Sequence, residues 1–318
     1  MTDTGSNVEK AGLLLRRGRL VAIPTETVYG LAANALDGQA VAAIFTAKNR
    51  PTFDPLIVHV KSLQAAEDYV THVPEQARRL AEAFWPGPLT LLLPKKPIVP
   101  DLVTSGLPTV AVRVPRHPLA LQLLQSLDFP LAAPSANPFG YISPTTAQHV
   151  EQQLGDKVSY ILDGGACRVG IESTIVSFNS EMPKVLRLGG LRLEDIELVI
   201  GKVETTLYSS SNPLAPGMLK SHYAPRKPLY LYGKKELLEK KIEPDVGYLF
   251  FKKDTSLDCE SNCLYLSENG DLNEAAQHLF GYLRKLDAGS VREIRAELLP
   301  EIGLGRAIND RLRRAATF

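Results

Sequence analysis

The feature that most constrains the fold is a helix that a proline stops, followed at once by a buried strand. Apolar side chains recur at helical spacing from residue 37 to residue 48, and Pro51 prevents that helix from continuing. Residues 56–60 form a short apolar run rich in β-branched side chains, which predicts a buried strand. The sequence therefore predicts a rigid helix-turn-strand unit around which the first part of the chain is arranged.

This unit carries three side chains that can bind an anion. Lys48 and Arg50 lie at the predicted helix exit, and His59 lies on the predicted strand. Cations held on a rigid unit are suited to an anionic ligand. The same residues also fit a helix C-terminus with favourable basic side chains, followed by a strand that contains one histidine. The pattern alone does not decide between these two interpretations.

Two further stretches predict loops that can bind ligands. Residues 24–30 form a loop rich in hydroxyl groups after a predicted strand, where open α/β sheets tend to bind ligands. Ser143, followed by a proline, is predicted to cap a helix whose first amides would bind an anion together with Ser135 and Asn137. A well-capped helix after a turn explains the same residues without a ligand.

The length of the chain, 318 residues, predicts two domains. A segment rich in Ser, Asn and Pro begins near residue 207 and predicts a linker. Beyond it, strand and helix patterns alternate, which predicts a compact α/β domain with a largely parallel sheet. In the last helix, Asp310, Arg311 and Arg313 are predicted to form a solvated face.

Composition argues against several classes of protein. A net charge of +1 gives no basic field for tight binding of RNA. The first residues lack an apolar signal core, and no run approaches the roughly 20 apolar residues of a membrane span, so a cytoplasmic protein without a membrane partner is expected. The cysteines are odd in number and lack a paired Cys-x-x-Cys pattern, so all are predicted to be reduced thiols: Cys167, Cys259 and Cys263.

Taken together, these stretches make the chain resemble the threonylcarbamoyl-AMP synthase family, the YrdC-like proteins, in its longer two-domain form. The matching segments occur in order between about residues 7 and 200: 24–31, 48–51, 55–59, 85–90, 110–115, 133–137, 143–145, 172–174 and 186–189. Residues 216–218, 222–225 and 303–312 are similar to the long form specifically.

The resemblance implies an α/β fold with two parts. The first is a YrdC-like twisted-sheet catalytic domain with an open concave site, expected over residues 1–206. The second is a smaller Rossmann-like α/β C-terminal domain, expected over residues 227–318. Residues 207–226 are expected to be a linker or lid between them.

The implied activity is the condensation of L-threonine, bicarbonate or CO₂, and ATP to threonylcarbamoyl-AMP and pyrophosphate, a nucleotidyl transfer. ATP is then a substrate, Mg²⁺ is expected with it, and no metal ligands are assigned. The product would feed the machinery that forms threonylcarbamoyladenosine beside the tRNA anticodon. The expected partners are that machinery and, weakly, tRNA.

Carried over residue by residue, the resemblance implies two sets of contacts. Threonine is expected against Thr27, His59, Arg113, Ala133 and Ser173. ATP is expected against Lys48, Arg50, Asp54, Thr109, Ser135, Asn137, Ser143, Arg187 and Tyr223. Lys48 and Arg50 are expected to be catalytic, since cations there would stabilise the charge that moves to the departing pyrophosphate.

Several points stay open at the level of sequence. The chemistry needs no protein nucleophile, and His59 is either a base for the threonine amine or only a substrate contact. Glu26 is a further candidate for the ammonium group or a metal. Asp54 stands where the family usually has asparagine, and it either favours Mg²⁺ or weakens a phosphate contact. Residues 219–221 also depart from the usual linker motif.

Two other functions and one alternative for the linker fit the same residues. The fold could serve as an RNA-binding module, or it could form a carbamoyl-adenylate with another acyl acceptor, as in related domains of hydrogenase maturation proteins. The linker contains Met218, His222 and Tyr223, which predict a lid that closes over the site with Tyr223 reaching the nucleotide. The alternative is a linker packed on the surface of either domain.

Overall fold

The computed structural model describes residues 2–207, 213–219, 221–253 and 262–317. Within these residues the chain forms two β-sheets, one of eleven strands and one of four. None of the helices in this described part is long and apolar enough to cross a membrane.

The large sheet is mixed, and its strand order shows several crossovers. In chain order its elements are β1 (Thr4–Gly5), α1 (Val8–Arg16), β2 (Val21–Ile23), β3 (Gly30–Asn34), α2 (Gly38–Lys48), β4 (Ile57–His59), α3 (Leu63–Ala66), α4 (Glu75–Phe84), β5 (Leu89–Pro94), α5 (Asp101–Thr104), β6 (Thr109–Arg113), α6 (Pro118–Ser126), β7 (Leu131–Ala132), α7 (Ala147–Leu154), a 3-10 turn (Gly155–Lys157), β8 (Tyr160–Leu162), β9 (Thr174–Ser177), β10 (Lys184–Arg187), α8 (Leu193–Ile200) and β11 (Glu204–Thr205). The strands lie in the order β1-β8-β2-β3-β7-β4-β6-β5-β9-β10-β11.

The predicted helix-turn-strand unit is confirmed. The side chain of Asp37 caps α2 by accepting hydrogen bonds from the amides of Gln39 and Ala40. The helix ends at Lys48, and the next residue, Asn49, adopts a left-handed conformation with φ 52°. Strand β4 then enters the middle of the large sheet, parallel to β6 and antiparallel to β7.

The register of β4 and β6 determines which side chains share a face of the sheet. Successive side chains of a strand point to opposite faces. Val58 belongs to the main core, which includes α2 and α4, whereas Ile57 and Ala111 belong to a separate apolar cluster. His59 and Arg113, which are paired in register, lie two residues beyond Ile57 and Ala111. They therefore lie on the face opposite α2 and α4.

The four-stranded sheet is parallel throughout, which confirms the prediction for the last part of the chain. Its elements are β12 (Leu229–Tyr232), α9 (Lys234–Leu238), β13 (Val246–Lys252), β14 (Cys263–Ser267), α10 (Leu272–Ala288), β15 (Glu293–Glu297) and α11 (Leu304–Ala315), with the strand order β12-β15-β13-β14. Phe280 of α10 and Ile308 of α11 share one apolar core with Leu188 and Leu191, which follow β10. The two last helices thus pack on the first part of the chain.

The predicted helix cap at Ser143 is wrong. Helix α7 begins at Ala147, and the hydroxyl of Thr146 caps it by accepting a hydrogen bond from the amide of His149. Ser143 instead donates a hydrogen bond of 2.5 Å to Oε1 of Glu172. A second hydroxyl three residues further on can cap the helix equally well, so the sequence pattern pointed to the wrong one.

The predicted solvated face of the last helix is wrong for two of its three residues. The side chains of Asp310 and Arg311 are 3% and 0% exposed, whereas that of Arg313 is 46% exposed. Arg311 can be buried because a carboxylate from another part of the chain pairs with it.

The prediction of three reduced thiols is wrong for one cysteine. Cys167 is a buried free thiol, but Cys263 is disulfide-bonded. Cys259 lies outside the described residues.

Candidate functional site

A cavity lies on the face of the large sheet that carries His59 and Arg113. Loops after β2 and β7 line it, together with residues of β4, β6 and β10 and part of the linker. It brings together all the residues expected at threonine: Thr27, His59, Arg113, Ala133 and Ser173. Of those expected at ATP, it is lined by Arg50, Ser135, Arg187 and Tyr223. Lys48, Asp54, Thr109, Asn137 and Ser143 do not line it.

Arg113 is fixed in the cavity by two loops, one that contains Glu26 and Thr27 and one that contains Gly87. Its guanidinium group donates to the carboxylate of Glu26 at 2.6 Å, to the hydroxyl of Thr27 at 2.9 Å and to the carbonyl of Gly87 at 3.2 Å. The hydroxyl of Thr27 lies in turn 2.8 Å from that of Thr25. The site therefore presents a held cation whose charge Glu26 balances, with hydroxyl groups beside it.

His59 is buried beside Arg113 and remains uncharged at neutral pH. Burial and the neighbouring guanidinium lower the pKa of His59 to about 3. Its Nδ1 atom is buried and has no hydrogen-bond partner among the described residues. An efficient general base needs a pKa near the working pH, so the imidazole is better suited to hold a polar ligand than to remove a proton.

Arg50 lines the cavity and forms a buried ion pair with Asp54. Its Nη2 atom lies 2.9 Å from Oδ2 of Asp54, and its guanidinium group also donates to the carbonyls of Asp54 and Pro55. Burial raises the pKa of Asp54, and the charge of Arg50 acts against that shift. An anion that binds Arg50 must therefore compete with this carboxylate.

The side chain of Lys48 does not reach the cavity, although its position in the sequence suggests a contact with the ligand. Its ammonium group is buried and donates to the carbonyl oxygens of Ser135 and Asn137. Burial and the charge of Arg50 lower the pKa of Lys48 well below its ordinary value. Lys48 thus holds the loop that presents Ser135 to the cavity, and its own ammonium group does not line it.

Asn137 and Thr109 also lie outside the cavity wall, for separate reasons. The side-chain amide of Asn137 donates to the carbonyls of Pro138 and Tyr141, and so stabilises its own loop. Thr109 begins β6, four residues before Arg113, on the same face of the strand. A ligand extended along β6 from Arg113 would lie in the direction of Thr109.

Arg187 connects the cavity to the linker. Its guanidinium group donates to the carbonyl and the hydroxyl of Ser173, at 3.0 and 3.1 Å, and to the carbonyl of Pro216 at 3.1 Å. Burial lowers the pKa of Arg187 to about 10, so the group stays charged at neutral pH. One of the expected phosphate contacts is therefore bonded to the linker in this structure.

The linker lies on the cavity face of the sheet. Ala215 and Met218 pack in the same apolar cluster as Ile57 and Ala111. Tyr223 is 1% exposed and has a φ of 66°, an uncommon conformation for a tyrosine. These contacts differ from packing on an outer surface, because the linker forms one wall of the cavity.

Glu172 is a cavity residue that the sequence did not single out. Its carboxylate accepts hydrogen bonds from Ser143 and from Nε of Arg311, the latter at 2.8 Å. The only sequence signal is the Glu-Ser-Thr segment at residues 172–174, in which the resemblance implies a threonine contact for Ser173 alone. Arg311 lies in the segment 303–312, which is similar to the long form, but nothing in that segment indicates a buried partner, since a charged residue on a helix is most simply solvated.

Two family models match the chain. The model described as telomere recombination matches residues 13–189, and the model described as threonylcarbamoyl-AMP synthase, C-terminal domain, matches residues 191–317. The threonylcarbamoyl-AMP synthase of Pyrococcus abyssi is 44% identical over 96% of this chain and 92% of its own length. That of Bacillus subtilis is 41% identical over 99% of this chain and 94% of its own length.

A solved structure has the same fold as this chain. The crystal structure of P. abyssi Sua5 complexed with L-threonine superposes with a TM-score of 0.91 at 41% identity. The match covers 99% of this chain and 97% of that one, so it includes both sheets.

Proposed function

This chain belongs to the threonylcarbamoyl-AMP synthase family, and on that premise we propose that it condenses L-threonine, bicarbonate and ATP to threonylcarbamoyl-AMP and pyrophosphate. Members of this family are transferases that make an adenylate from ATP. The observation that carries the proposal is a single cavity lined by the cations Arg50, Arg113 and Arg187. Such a cavity suits one carboxylate substrate and one polyphosphate.

Threonine is assigned to the Arg113 side of the cavity. A guanidinium group is well suited to a carboxylate or carbamate, and Thr27 and Ser173 offer hydroxyl groups beside it. The Nδ1 atom of His59 is buried and lacks a partner among the described residues, which is a reason for a polar ligand there. The backbone of Ala133 closes this side.

ATP is assigned to the side of Arg50 and Arg187. Charge moves from the α-phosphate to pyrophosphate as the adenylate forms, and fixed cations stabilise that shift. The other expected residues have less direct roles. Lys48 and Asn137 hold the Ser135 loop, and Ser143 acts through Glu172. Thr109 extends the binding face, and Tyr223 covers the nucleotide. Holding the carbamate in line with the α-phosphate supplies the remaining rate enhancement.

Mg²⁺ is proposed to arrive with ATP. In the residues that the structure describes, no three or more His, Cys, Asp or Glu side chains are grouped as a metal site. The nearby carboxylates of Asp54 and Glu172 are each paired with an arginine. Magnesium commonly keeps several waters and is held through substrate phosphates, so it would add positive charge at the triphosphate without a protein cage.

The product is proposed to serve tRNA modification. Threonylcarbamoyl-AMP carries an activated acyl group, so a downstream enzyme must transfer that group to tRNA. We also predict a weak contact of this chain with tRNA. Because the product is proposed to serve tRNA modification, we propose a cytoplasmic location for the protein.

Product analysis tests the proposed reaction. Purified protein with threonine, bicarbonate, ATP and Mg²⁺ is expected to release pyrophosphate in a threonine-dependent manner, and mass spectrometry should detect threonylcarbamoyl-AMP. RNA binding without threonine-dependent turnover would favour the RNA-binding module instead. An adenylate that contains a different acyl group would favour carbamoyl-adenylate chemistry with another acceptor.

The pH dependence tests the role of His59. Since its folded-state pKa is about 3, we expect no limb of the kcat profile from this imidazole between pH 6 and 8, and His59→Gln should mainly raise the KM for threonine. Below pH 6.5, its ordinary pKa, the unfolded state binds a proton that the folded state does not. Wild-type stability should therefore fall as the pH decreases from 6.5 towards 3. A kcat limb near pH 6.5 that His59→Gln abolishes would show instead that the imidazole is the base.

The variant Asp54→Asn tests the buried ion pair. Removing the carboxylate leaves Arg50 with two backbone carbonyl acceptors and releases it from a competing anion. We expect the KM for ATP to fall by about threefold to tenfold, because the phosphate no longer displaces a carboxylate. A KM that rises, together with a higher Mg²⁺ requirement, would indicate that Asp54 helps to hold the metal.

A further inference from the structure

We propose that Arg311, on the last helix of the chain, is a positioning residue for adenylate formation, and that it acts by fixing Glu172 and Tyr223 in the wall of the cavity. The inference rests on the proposed function. It also gives the C-terminal part of the chain a role in the reaction, although the cavity lies on the large sheet.

Arg311 uses its whole guanidinium group to connect three segments. Nε donates to Glu172 at 2.8 Å, Nη1 to Asp310 at 2.7 Å, and Nη2 to the carbonyl of Leu188 at 2.7 Å. The centre of the same group lies 5.1 Å from the centroid of the Tyr223 ring. The side chain is 0% exposed, so solvent does not replace any of these contacts.

Glu172 is the group through which Arg311 reaches the cavity. Burial raises the pKa of Glu172, but the charges of Arg311 and Arg187 and the hydrogen bond from Ser143 outweigh it, so the carboxylate is ionised at neutral pH. The negative charge of Glu172 also acts on two linker side chains, those of His222 and Tyr223. Loss of Arg311 removes the largest favourable charge.

Tyr223 is held from two sides by the C-terminal helices. Its ring stacks on Phe280 of α10 at a centroid distance of 5.5 Å, and Arg311 lies over the ring. A tyrosine with a positive φ needs such support, since its backbone conformation is unfavourable. Arg311 therefore orients both a carboxylate and an aromatic ring that line the cavity.

The same helix also holds the linker backbone. Asp310 bridges Arg311 to Arg314, with Oδ1 lying 3.1 Å from Nε of Arg314. Arg314 then donates to linker carbonyls, at 2.8 Å to Leu207 and 2.9 Å to Leu219, and also to Gly217. A continuous chain of contacts therefore joins the cavity to the linker, through Ser143, Glu172, Arg311, Asp310 and Arg314. A displacement of Glu172 can in this way be transmitted to the linker backbone.

Steady-state kinetics of the full chain test this inference. For Arg311→Met we expect kcat to fall about tenfold, with the KM for threonine within about twofold of wild type, because the threonine side of the cavity is untouched. Arg311→Lys, which keeps the charge, should recover part of kcat. Arg313→Ala is the matched control, since that exposed residue lies on the same helix and pairs with Glu301 on the surface.

The pH profile separates positioning from a purely structural role. Without Arg311 the pKa of Glu172 should rise, so the pH profile of kcat for Arg311→Met should gain an ascending limb on the acid side that wild type and Arg313→Ala lack. A structural defect would lower kcat equally at all pH values. That result, or a profile and kcat equal to those of Arg313→Ala, would overturn the inference.

A double variant guards against misfolding of Arg311→Met, which leaves a buried carboxylate without its cation. Glu172→Gln/Arg311→Met removes both charges and should regain the wild-type melting temperature while kcat stays low. Recovery of kcat together with stability would show that the pair serves folding only. A wild-type protein without threonine-dependent pyrophosphate release would overturn the proposed function as well, whereas an active wild type with unaffected Arg311 variants would overturn this inference alone.

Discussion

Arg50→Ala is expected to lower turnover at least 100-fold, a loss of about 3 kcal/mol in transition-state stabilisation. The guanidinium group lines the cavity and is buried, so solvent would screen its charge little from the phosphates that we propose it binds. Initial rates of pyrophosphate release at saturating ATP and threonine measure the effect. Calorimetric titration with a non-hydrolysable ATP analogue shows whether ground-state binding is lost as well.

Lys48→Ala is expected to cause a loss of similar size by a different route. Its ammonium group holds the carbonyls of Ser135 and Asn137, so the variant should displace the Ser135 loop. The Ser135 carbonyl would keep only the hydrogen bond from the amide of Asn137, and the Asn137 carbonyl would lose the donor that Lys48 supplies. The melting temperature must therefore be measured beside the rate. Stability should fall more in Lys48→Ala than in Arg50→Ala if the two residues have these separate roles.

The exposed residue Lys202 provides a control for both variants. Lys202→Ala removes one positive charge from the same part of the chain and should leave the rate unchanged. If Arg50→Ala and Lys48→Ala both keep more than about a third of wild-type activity with unchanged affinity for ATP, the two cations are only favourable groups at a helix end.

Tyr223→Ala is expected to lower the yield of threonylcarbamoyl-AMP per ATP consumed about thirtyfold. The ring forms part of the cavity wall. Its loss would let water reach the carbamate and the adenylate, which hydrolyse easily. Quantifying threonylcarbamoyl-AMP, AMP and pyrophosphate in the same reaction distinguishes poor synthesis from loss of the product by hydrolysis.

Tyr223→Phe is the matched variant, since it keeps the ring that stacks on Phe280. It should retain most of the yield if the ring closes the site, and little if the hydroxyl group contacts the nucleotide. Tyr230→Ala, at a position 44% exposed, controls for the loss of a tyrosine. A wild-type yield from Tyr223→Ala would exclude a lid role for this ring.

Protease sensitivity tests movement of the linker independently of turnover. Arg187 is bonded to the carbonyl of Pro216, so ATP that binds Arg187 must displace this contact or share the guanidinium with it. We expect cleavage within residues 213–225 to change when ATP and threonine bind. Equal cleavage with and without both substrates would indicate a linker that stays in place throughout the reaction.

Much of the local structure could be predicted from the sequence. The helix ending at Lys48, the strand containing His59 and the parallel C-terminal sheet depend on apolar spacing, on caps and on proline, which act between near neighbours. The candidate residues for threonine came from motif resemblance, and all of them line one cavity. Their individual roles stay predictions until variants are measured.

The sequence determined the elements and the motif residues, whereas only the tertiary structure decided which charges are buried and what they contact. Ser143 became a partner of Glu172, 29 residues away, in preference to capping a helix. Arg311 is buried, although the helix pattern predicts a solvated face, because Glu172, 139 residues earlier, supplies a carboxylate. A buried charge is tolerated only where an opposite charge and hydrogen-bond partners meet it, and the fold brings those partners from distant segments. Local sequence patterns contain no information about which distant residues become partners in the fold.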